Sequence, residues 1–201
     1  MSDVIRSMQS VDAAAVAQLH AQSMTQGFLA RLGRRFLRQL YLGIHEVEGS
    51  HVLVAAAGRD VVGFSAYTRD VRGLYSRVLR SRPFRLAWAS LPRSLSPWVV
   101  GGMIDTLRYP AKQSAQALPP AEILSIAVSD KARGTGVGRK LLERTLELAR
   151  EDEQPAIKVL AGAELEGANR FYRACGFEKT AEIVQHGETL NVYVKWLARE
   201  P

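Results

Sequence analysis

The feature of this sequence that most constrains its fold is the stretch 121–149, where a glycine-rich turn joins an apolar segment to an amphipathic one. The apolar run 123–128 follows two prolines and ends at a polar turn, which predicts a central strand buried on both faces. From Val137 onward, apolar residues recur at intervals of three and four, which predicts a helix with one buried face.

The turn between them contains Gly134, Gly136 and Gly138. Glycines let the backbone approach a ligand closely and leave unpaired N–H groups directed at it. Because these groups stand at the positive end of the helix dipole, the turn predicts a binding site for an anion, most naturally a phosphate.

Two familiar phosphate-binding patterns do not fit this turn. A P-loop requires Gly-Lys-Ser/Thr, whereas Gly138 is followed by Arg139 and Lys140; a dinucleotide fingerprint requires its third glycine at the position of Arg139. Arg133, Gly136 and Gly138 do form R-x-x-G-x-G. Here the chain resembles the GNAT superfamily of N-acetyltransferases, whose pyrophosphate loop has this pattern.

A second motif lies at 168–177, where Ala168, Phe171, Tyr172, Gly176 and Phe177 fit A-x-x-F/L-Y-x-x-x-G-F. It resembles the closing motif of the same superfamily and follows the first motif in the expected order. A hairpin predicted over 51–67 also matches the family's order of elements. The resemblance covers 121–197 well and 1–70 loosely.

The resemblance implies an α/β (α+β) fold with a mixed, mostly antiparallel central sheet flanked by helices. It also implies a parallel strand pair that splays around acetyl-CoA, the acyl donor. The expected reaction is direct transfer of acetyl to a primary amine on a small-molecule acceptor, since the sequence offers no activated nucleophile.

Family members place a tyrosine at the position of Tyr172 to protonate the departing thiolate, which a phenol can do at close range. A packing role for the ring is the alternative. Glu122 matches the position of the base that acts through water in the histone-acetylating branch, and a solvent-exposed strand-edge glutamate is the alternative there. Ser125 and Tyr67 are weaker candidates for the base.

The resemblance also implies a set of donor-binding residues. Main-chain N–H groups at the strand end would hold the thioester oxygen, and those of the turn would hold the phosphates. An asparagine that the family often has seven residues before the tyrosine is Leu165 here, so Asn169 is carried as a further candidate. The complete candidate set is Ile126, Ala127, Val128, Arg133, Gly134, Thr135, Gly136, Val137, Gly138, Arg139 and Asn169.

Other chemistry has little support in the sequence. The four histidines share no metal-ligand spacing, so no metal site is expected, and Cys175 has no matched base. A single cysteine, an N-terminus without an apolar leader and no run long enough to span a bilayer together predict a soluble cytoplasmic protein.

The net charge of +7 is concentrated in residues 71–120, which hold eight basic residues and one acidic residue, Asp105. Removing these from the chain's 27 basic and 20 acidic residues leaves 19 of each. Three helices are predicted within this segment, near 74–79, 83–91 and 96–107, followed by a linker over 110–120. We interpret it as a basic helical insertion in one domain spanning 1–201.

The role of the insertion stays open at this stage. Its arginines are suited to an anionic acceptor such as a nucleotide-linked amino sugar, to a helical cap or homodimer contact, or to weak docking on an anionic membrane surface. Nucleic-acid binding is not expected, because no base-reading motif accompanies the charge. A fold that binds acetyl-CoA without catalysis is the remaining alternative.

Overall fold

Residues 4–25, 27–90 and 118–197 are described by the computed structural model. Within these residues, seven strands form one sheet in the order β1-β2-β3-β4-β5-β7-β6. Only β4 and β5 pair in parallel, and the predicted mixed, mostly antiparallel sheet is therefore confirmed. The strands are β1 (Val4–Ser7), β2 (Ser50–Ala57), β3 (Asp60–Thr68), β4 (Glu122–Val128), β5 (Ala156–Gly162), β6 (Glu178–Gln185) and β7 (Glu188–Trp196).

The helices cover both faces of this sheet. They are α1 (Ala13–Ser23), α2 (Phe28–Arg31), α3 (Arg34–Glu46), α4 (Leu74–Ser81), α5 (Pro83–Ser90), α6 (Val137–Glu151) and α7 (Glu166–Ala174). The first five pack on one face, called the front, and α6 and α7 pack on the back. Strand β2 shows the period of two that this requires, since Val52 and Val54 are buried at the front while Leu53 and Ala55 are buried at the back.

The first two helices predicted for the basic segment correspond to α4 and α5. The third, near 96–107, and most of the predicted linker lie outside the described residues. Helix α4 lies so close to α3 that a Cβ at Gly43 would come within 2.6 Å of Val78 Cγ1. Arg82 reinforces this contact, because its side chain hydrogen-bonds to Glu46 and to Gln39 on α3.

The parallel contact between β4 and β5 is unusually short. Only Glu122 with Lys158 and Ile123 with Val159 are paired, although both strands continue for several residues. On its other edge, β4 has a bulge, since Ser125 pairs with Ala66 and Ile123 with Tyr67, which leaves Leu124 as an extra residue. A bulge bends a strand and increases its twist, so β4 turns away from β5 beyond this point. The opening between residues 124–128 and 160–162 is called the fork below.

A buried polar pair lies in the front core. His20 is 3% exposed, and its Nδ1 shares a 2.6 Å hydrogen bond with the hydroxyl of Tyr41. Burial disfavours the charged imidazolium and lowers the pKa of His20 from 6.5 to about 4. The histidine is therefore neutral in the folded protein at neutral pH.

This burial predicts a loss of stability in acid. The unfolded chain takes up the proton with the ordinary pKa near 6.5 and the folded chain only near 4, so falling pH favours unfolding across this window. The contribution of His20 should be constant above about pH 7 and should fall by about 2 kcal/mol by pH ~5.

Urea unfolding of the wild type and His20→Gln at a series of pH values measures this contribution. The variant should lack this part of the pH slope, whatever its stability at pH ~7. Parallel curves for the two proteins would contradict the assignment.

Candidate active site

The predicted phosphate loop connects the end of β4 to α6 through a short 3-10 helix, Asp130–Ala132. Gly134 and Gly136 have φ of 76° and 88°, the left-handed region that L-residues with side chains rarely adopt. A Cβ at either position would meet nothing within 4 Å. Glycine is therefore favoured at both positions by the positive φ of the backbone, and not by a steric clash that a side chain would make.

The first turn of α6 has main-chain N–H groups that donate no hydrogen bond within the helix. The N–H of Lys140 makes the first bond of the helix, to the carbonyl of Gly136, so the N–H groups of Val137, Gly138 and Arg139 precede it. Among the described residues, no side chain caps this end of the helix. Three N–H groups at the positive end of a helix dipole form an anion site of the kind that the sequence predicts.

Two polar side chains of the loop have partners within it. Thr135 donates from Oγ1 to the carbonyl of Ala132 at 2.7 Å. Arg133 Nη1 lies 3.0 Å from Asp130 Oδ1, in a pair that is largely exposed and thus weakly held. The Arg133 guanidinium is therefore free to turn toward an anion at the rim.

The fork meets this loop at the end of β4. Ile126, Ala127 and Val128 pair with β3 through Ser65, Phe64 and Gly63. On the other edge, pairing with β5 ends at Ile123. In the described part of the chain, no strand pairs with the β5-facing edge of β4 beyond that residue, so its main-chain groups are left for an extended ligand to pair with.

Tyr172 lies on the back face within a cluster of aromatic rings. Its ring contacts those of Phe171, Phe177 and Tyr193, with centroids 5.4 to 6.0 Å apart. Phe171 also reaches the start of α6, since a Cβ at Gly138 would be 4.0 Å from its ring. This contact brings the helix that carries Tyr172 beside the phosphate loop.

The Tyr172 side chain is 5% exposed, and burial raises its pKa above the ordinary value of a phenol. Its hydroxyl donates no hydrogen bond to any described residue. The group is therefore protonated at neutral pH and has a proton to give.

Glu122 is buried, whereas the alternative to its role as base was a glutamate exposed to solvent at the strand edge. It is 5% exposed, and its Oε2 lies 3.3 Å from Nζ of Lys158, which is fully buried. The same ammonium group donates to the carbonyl of Pro119. Burial lowers the pKa of Lys158, while the neighbouring carboxylate of Glu122 opposes that shift. The ion pair joins the two strands at the closed end of the fork.

This pairing bears on the base proposed for Glu122. A carboxylate next to an ammonium group accepts a proton less readily than an isolated one. The solvent-exposed alternative is wrong, and the role of base stays a prediction. Sequence reasoning missed Lys158, although a lysine in the otherwise apolar strand AIKVLAG was a signal that a buried acid lay nearby.

Asn169 uses its whole amide group inside the protein. Its Nδ2 donates to the carbonyls of Gly162 and Leu165 at 2.9 and 2.8 Å, and its Oδ1 accepts from Asn191 and the hydroxyl of Tyr193. These bonds tie the start of α7 to β5 and β7. We therefore regard Asn169 as a residue that positions α7. Its side-chain amide is already bonded within the protein, so its contact with the cofactor stays a prediction.

The two weaker base candidates lie on opposite faces of the sheet. Ser125 is 8% exposed, donates to the carbonyl of Leu124 and lies near the hydroxyl of Tyr41 on the front. Tyr67 is 1% exposed on the back, where its ring stacks on His51. Burial is the main cause of its raised pKa, so at neutral pH the group remains a protonated phenol and the phenolate needed for a base is absent.

Metal sites and membrane-spanning helices are both absent from residues 4–25, 27–90 and 118–197. No group of three or more His, Cys, Asp or Glu side chains there is arranged to hold a metal ion. None of the helices in these ranges has the length and apolar character needed to cross a bilayer.

Comparison with known proteins shows which proteins this chain resembles. Residues 96–179 match the family model described as Acetyltransferase (GNAT) domain. This match, over less than half of the chain, shows a resemblance to the GNAT acetyltransferases. A curated relative, the uncharacterized N-acetyltransferase MJ1207 of Methanocaldococcus jannaschii, is 36% identical over 65 residues, which are 32% of this chain and 28% of that protein. The match thus spans little more than a quarter of the relative's length.

Solved structures share the GNAT fold over nearly the whole chain. The ribosomal-protein-alanine N-acetyltransferase of Brucella melitensis is 21% identical with a TM-score of 0.62, covering 96% of this chain and 99% of its own. The structure of yncA from Salmonella typhimurium with its cofactor acetyl-CoA is 18% identical with a TM-score of 0.63, covering 100% and 97%. At these identities the likeness shows the fold.

The buried ion pair leads to a stability prediction. Glu122→Leu leaves the Lys158 ammonium buried without its countercharge and should lower the free energy of unfolding by about 3 kcal/mol. The double variant Glu122→Leu, Lys158→Met removes both charges and should recover most of that loss. Urea unfolding measures all three proteins.

The exposed pair between Arg144 and Glu147 is the matched control, and Glu147→Ala should cost less than about 1 kcal/mol. A double variant no more stable than Glu122→Leu would contradict a direct pair.

Proposed function

We propose that this protein is a GNAT-type N-acetyltransferase that transfers the acetyl group of acetyl-CoA to a primary amine. The observation that carries the proposal is that the fork opens directly onto the uncapped start of α6. An extended thiol arm ending in a pyrophosphate needs these two features, a slot with free main-chain groups and an anion site at its end. The neighbour from Salmonella typhimurium, solved with acetyl-CoA, supports the same choice of donor.

The donor-binding residues follow from this arrangement. Main-chain groups of Ile126, Ala127 and Val128 would line the acyl arm and hold the thioester oxygen, as an oxyanion hole does. The N–H groups of residues 133–139 would hold the pyrophosphate, with added charge from Arg133 and Arg139. Acetyl-CoA supplies an activated acetyl group as a thioester.

Tyr172 is the proposed acid. When the amine displaces the thiol, the departing sulfur carries negative charge and needs a proton. The hydroxyl of Tyr172 is buried, protonated and not donated to any described residue, so it holds a proton for that step. Its raised pKa makes it a weaker acid than an ordinary phenol, so the transfer requires the thiolate to lie within hydrogen-bond distance. Because burial raises its pKa, this proton is retained through and above the ordinary range of tyrosine, near pH ~10.

Direct attack by the amine fits the described residues better than a covalent acetyl-enzyme. Cys175 is the chain's one thiol, and burial raises its pKa, which disfavours the nucleophilic thiolate. The amine must be deprotonated before it attacks, and Glu122 stays the proposed base for that step. The acceptor class is a primary amine; the nucleotide-linked amino sugar and the cytoplasmic location stay predictions.

The activity is tested by thiol release from acetyl-CoA in the presence of a panel of amines, including amino sugars, polyamines and peptides with free N-termini. The proposal expects release that depends on at least one amine. Tight binding of acetyl-CoA without amine-dependent release from a broad panel would instead favour the catalytically silent alternative.

Tyr172→Phe tests the acid. The variant keeps the ring and its packing but removes the proton, so kcat should fall about 100-fold while the Kd for acetyl-CoA stays unchanged. Stopped-flow thiol release and calorimetric titration with acetyl-CoA measure the two quantities.

Tyr193→Phe is the control, because it removes a hydroxyl from the same aromatic cluster that is bonded to Asn169. It should keep most of the wild-type kcat. Equal losses in the two variants would show that the hydroxyls matter for packing, and an unchanged rate in Tyr172→Phe would remove the acid role.

A further inference from the structure

The exposed side of the front helices α3, α4 and α5 carries a concentration of arginines that acetyl transfer does not use. Six arginines on these helices are exposed to solvent. We call them the arginine face: Arg34, Arg35, Arg38, Arg77, Arg80 and Arg85. From this surface we infer a second function, the docking of the protein on an anionic lipid bilayer.

The charge of the arginine face is not neutralised within the described part of the chain. None of the six arginines forms an ion pair there. Helices α4 and α5 contain no acidic residue, and the single acid of α3, Glu46, is engaged by Arg82. Glu46 also interacts with the charge of Arg85, which is therefore partly compensated. The other five arginines keep their charge for an external anionic surface.

The helices that carry this face are fixed to the core. Leu74, Val78 and Leu86 point inward and are almost fully buried in the front cluster. The close approach of Val78 to Gly43 and the bonds of Arg82 to α3 hold α4 and the start of α5 in place. The arginines are thus presented together from a rigid layer, which limits the ordering needed on binding.

An aromatic side chain accompanies the charge. Phe84 is 87% exposed, next to Arg85 at the start of α5. A phenyl ring so exposed gains little from the fold and gains more by entering an apolar phase. Arginines with an exposed aromatic on helices that lie along a surface are the composition of interfacial membrane-binding helices.

The spread of the charge favours a bilayer over a small anion. The six arginines belong to three different helices, so one small anion would contact few of them, whereas a sheet of anionic headgroups meets many at once. Docking of this kind is independent of the proposed acetyl transfer. It would keep the enzyme at a membrane surface while the fork and its loop act as described above.

Vesicle sedimentation with the full-length protein tests the inference. The protein should bind vesicles containing phosphatidylglycerol, should bind pure phosphatidylcholine vesicles much less, and should be released as salt concentration rises. Binding that is equal on the two lipids, or absent from both, would overturn it.

Variants connect the binding to the arginine face. Arg80→Gln with Arg85→Gln removes two charges near the surface and should lower the partition coefficient about 30-fold. Phe84→Ser should lower it about tenfold. Arg59→Gln with Arg150→Gln is the control, because it removes the same net charge from exposed sites on other elements.

Equal losses in the control and in Arg80→Gln with Arg85→Gln would mean that net charge alone drives binding and would overturn the assignment to this face. Adding single-stranded RNA as a competitor in the vesicle assay distinguishes a membrane site from a nucleic-acid site. If the protein binds RNA strongly through the same residues and vesicles weakly, the surface is a nucleic-acid site and the membrane proposal is wrong.

Discussion

The structure depends on the point at which β4 and β5 cease to pair. Two pairs of residues hold the strands together, and a bulge at Leu124 then bends β4 away from its neighbour. A continuous parallel sheet would have filled this space with hydrogen bonds. Its interruption leaves main-chain groups of β4 without strand partners among the residues that the structure describes, just before the chain enters the glycine turn. The slot and the anion site are therefore produced by one local distortion.

The sheet stays intact despite this interruption because polar contacts hold the strands on both sides of the fork. The ion pair of Glu122 and Lys158 fixes the closed end of the fork, where Lys158 also holds the carbonyl of Pro119. Asn169 fixes the other side by joining the start of α7 to β5 and β7. Buried polar groups of this kind are costly unless fully paired, so they determine a geometry more than they add stability. The position of α7, and with it that of Tyr172, is held by the hydrogen bonds of Asn169.

The elements of this site that depend on a short stretch of residues could be predicted from the sequence. The apolar run of β4, the positive-φ glycines and the amphipathic α6 each follow from residues within one short window. Strand β6 was not foreseen, because it is an edge strand whose residues are mostly polar and exposed. The turn His186-Gly187 between β6 and β7, with φ of 52° and 80°, was its best signal. Partners distant in sequence, such as Glu122 with Lys158 and Asn169 with Tyr193, could not be deduced from a single chain.

The central claim, that acetyl-CoA lies in the fork with its pyrophosphate at the start of α6, is tested most directly by hydrogen–deuterium exchange with and without acetyl-CoA. The amides of residues 124–128 and 133–139 and those near Tyr172 should exchange more slowly when the donor is bound, because they would be covered or hydrogen-bonded by it. Amides in β1 and β2, far along the sheet, should be unaffected. Protection that bypasses the fork and the loop, with acetyl-CoA bound elsewhere, would contradict the account.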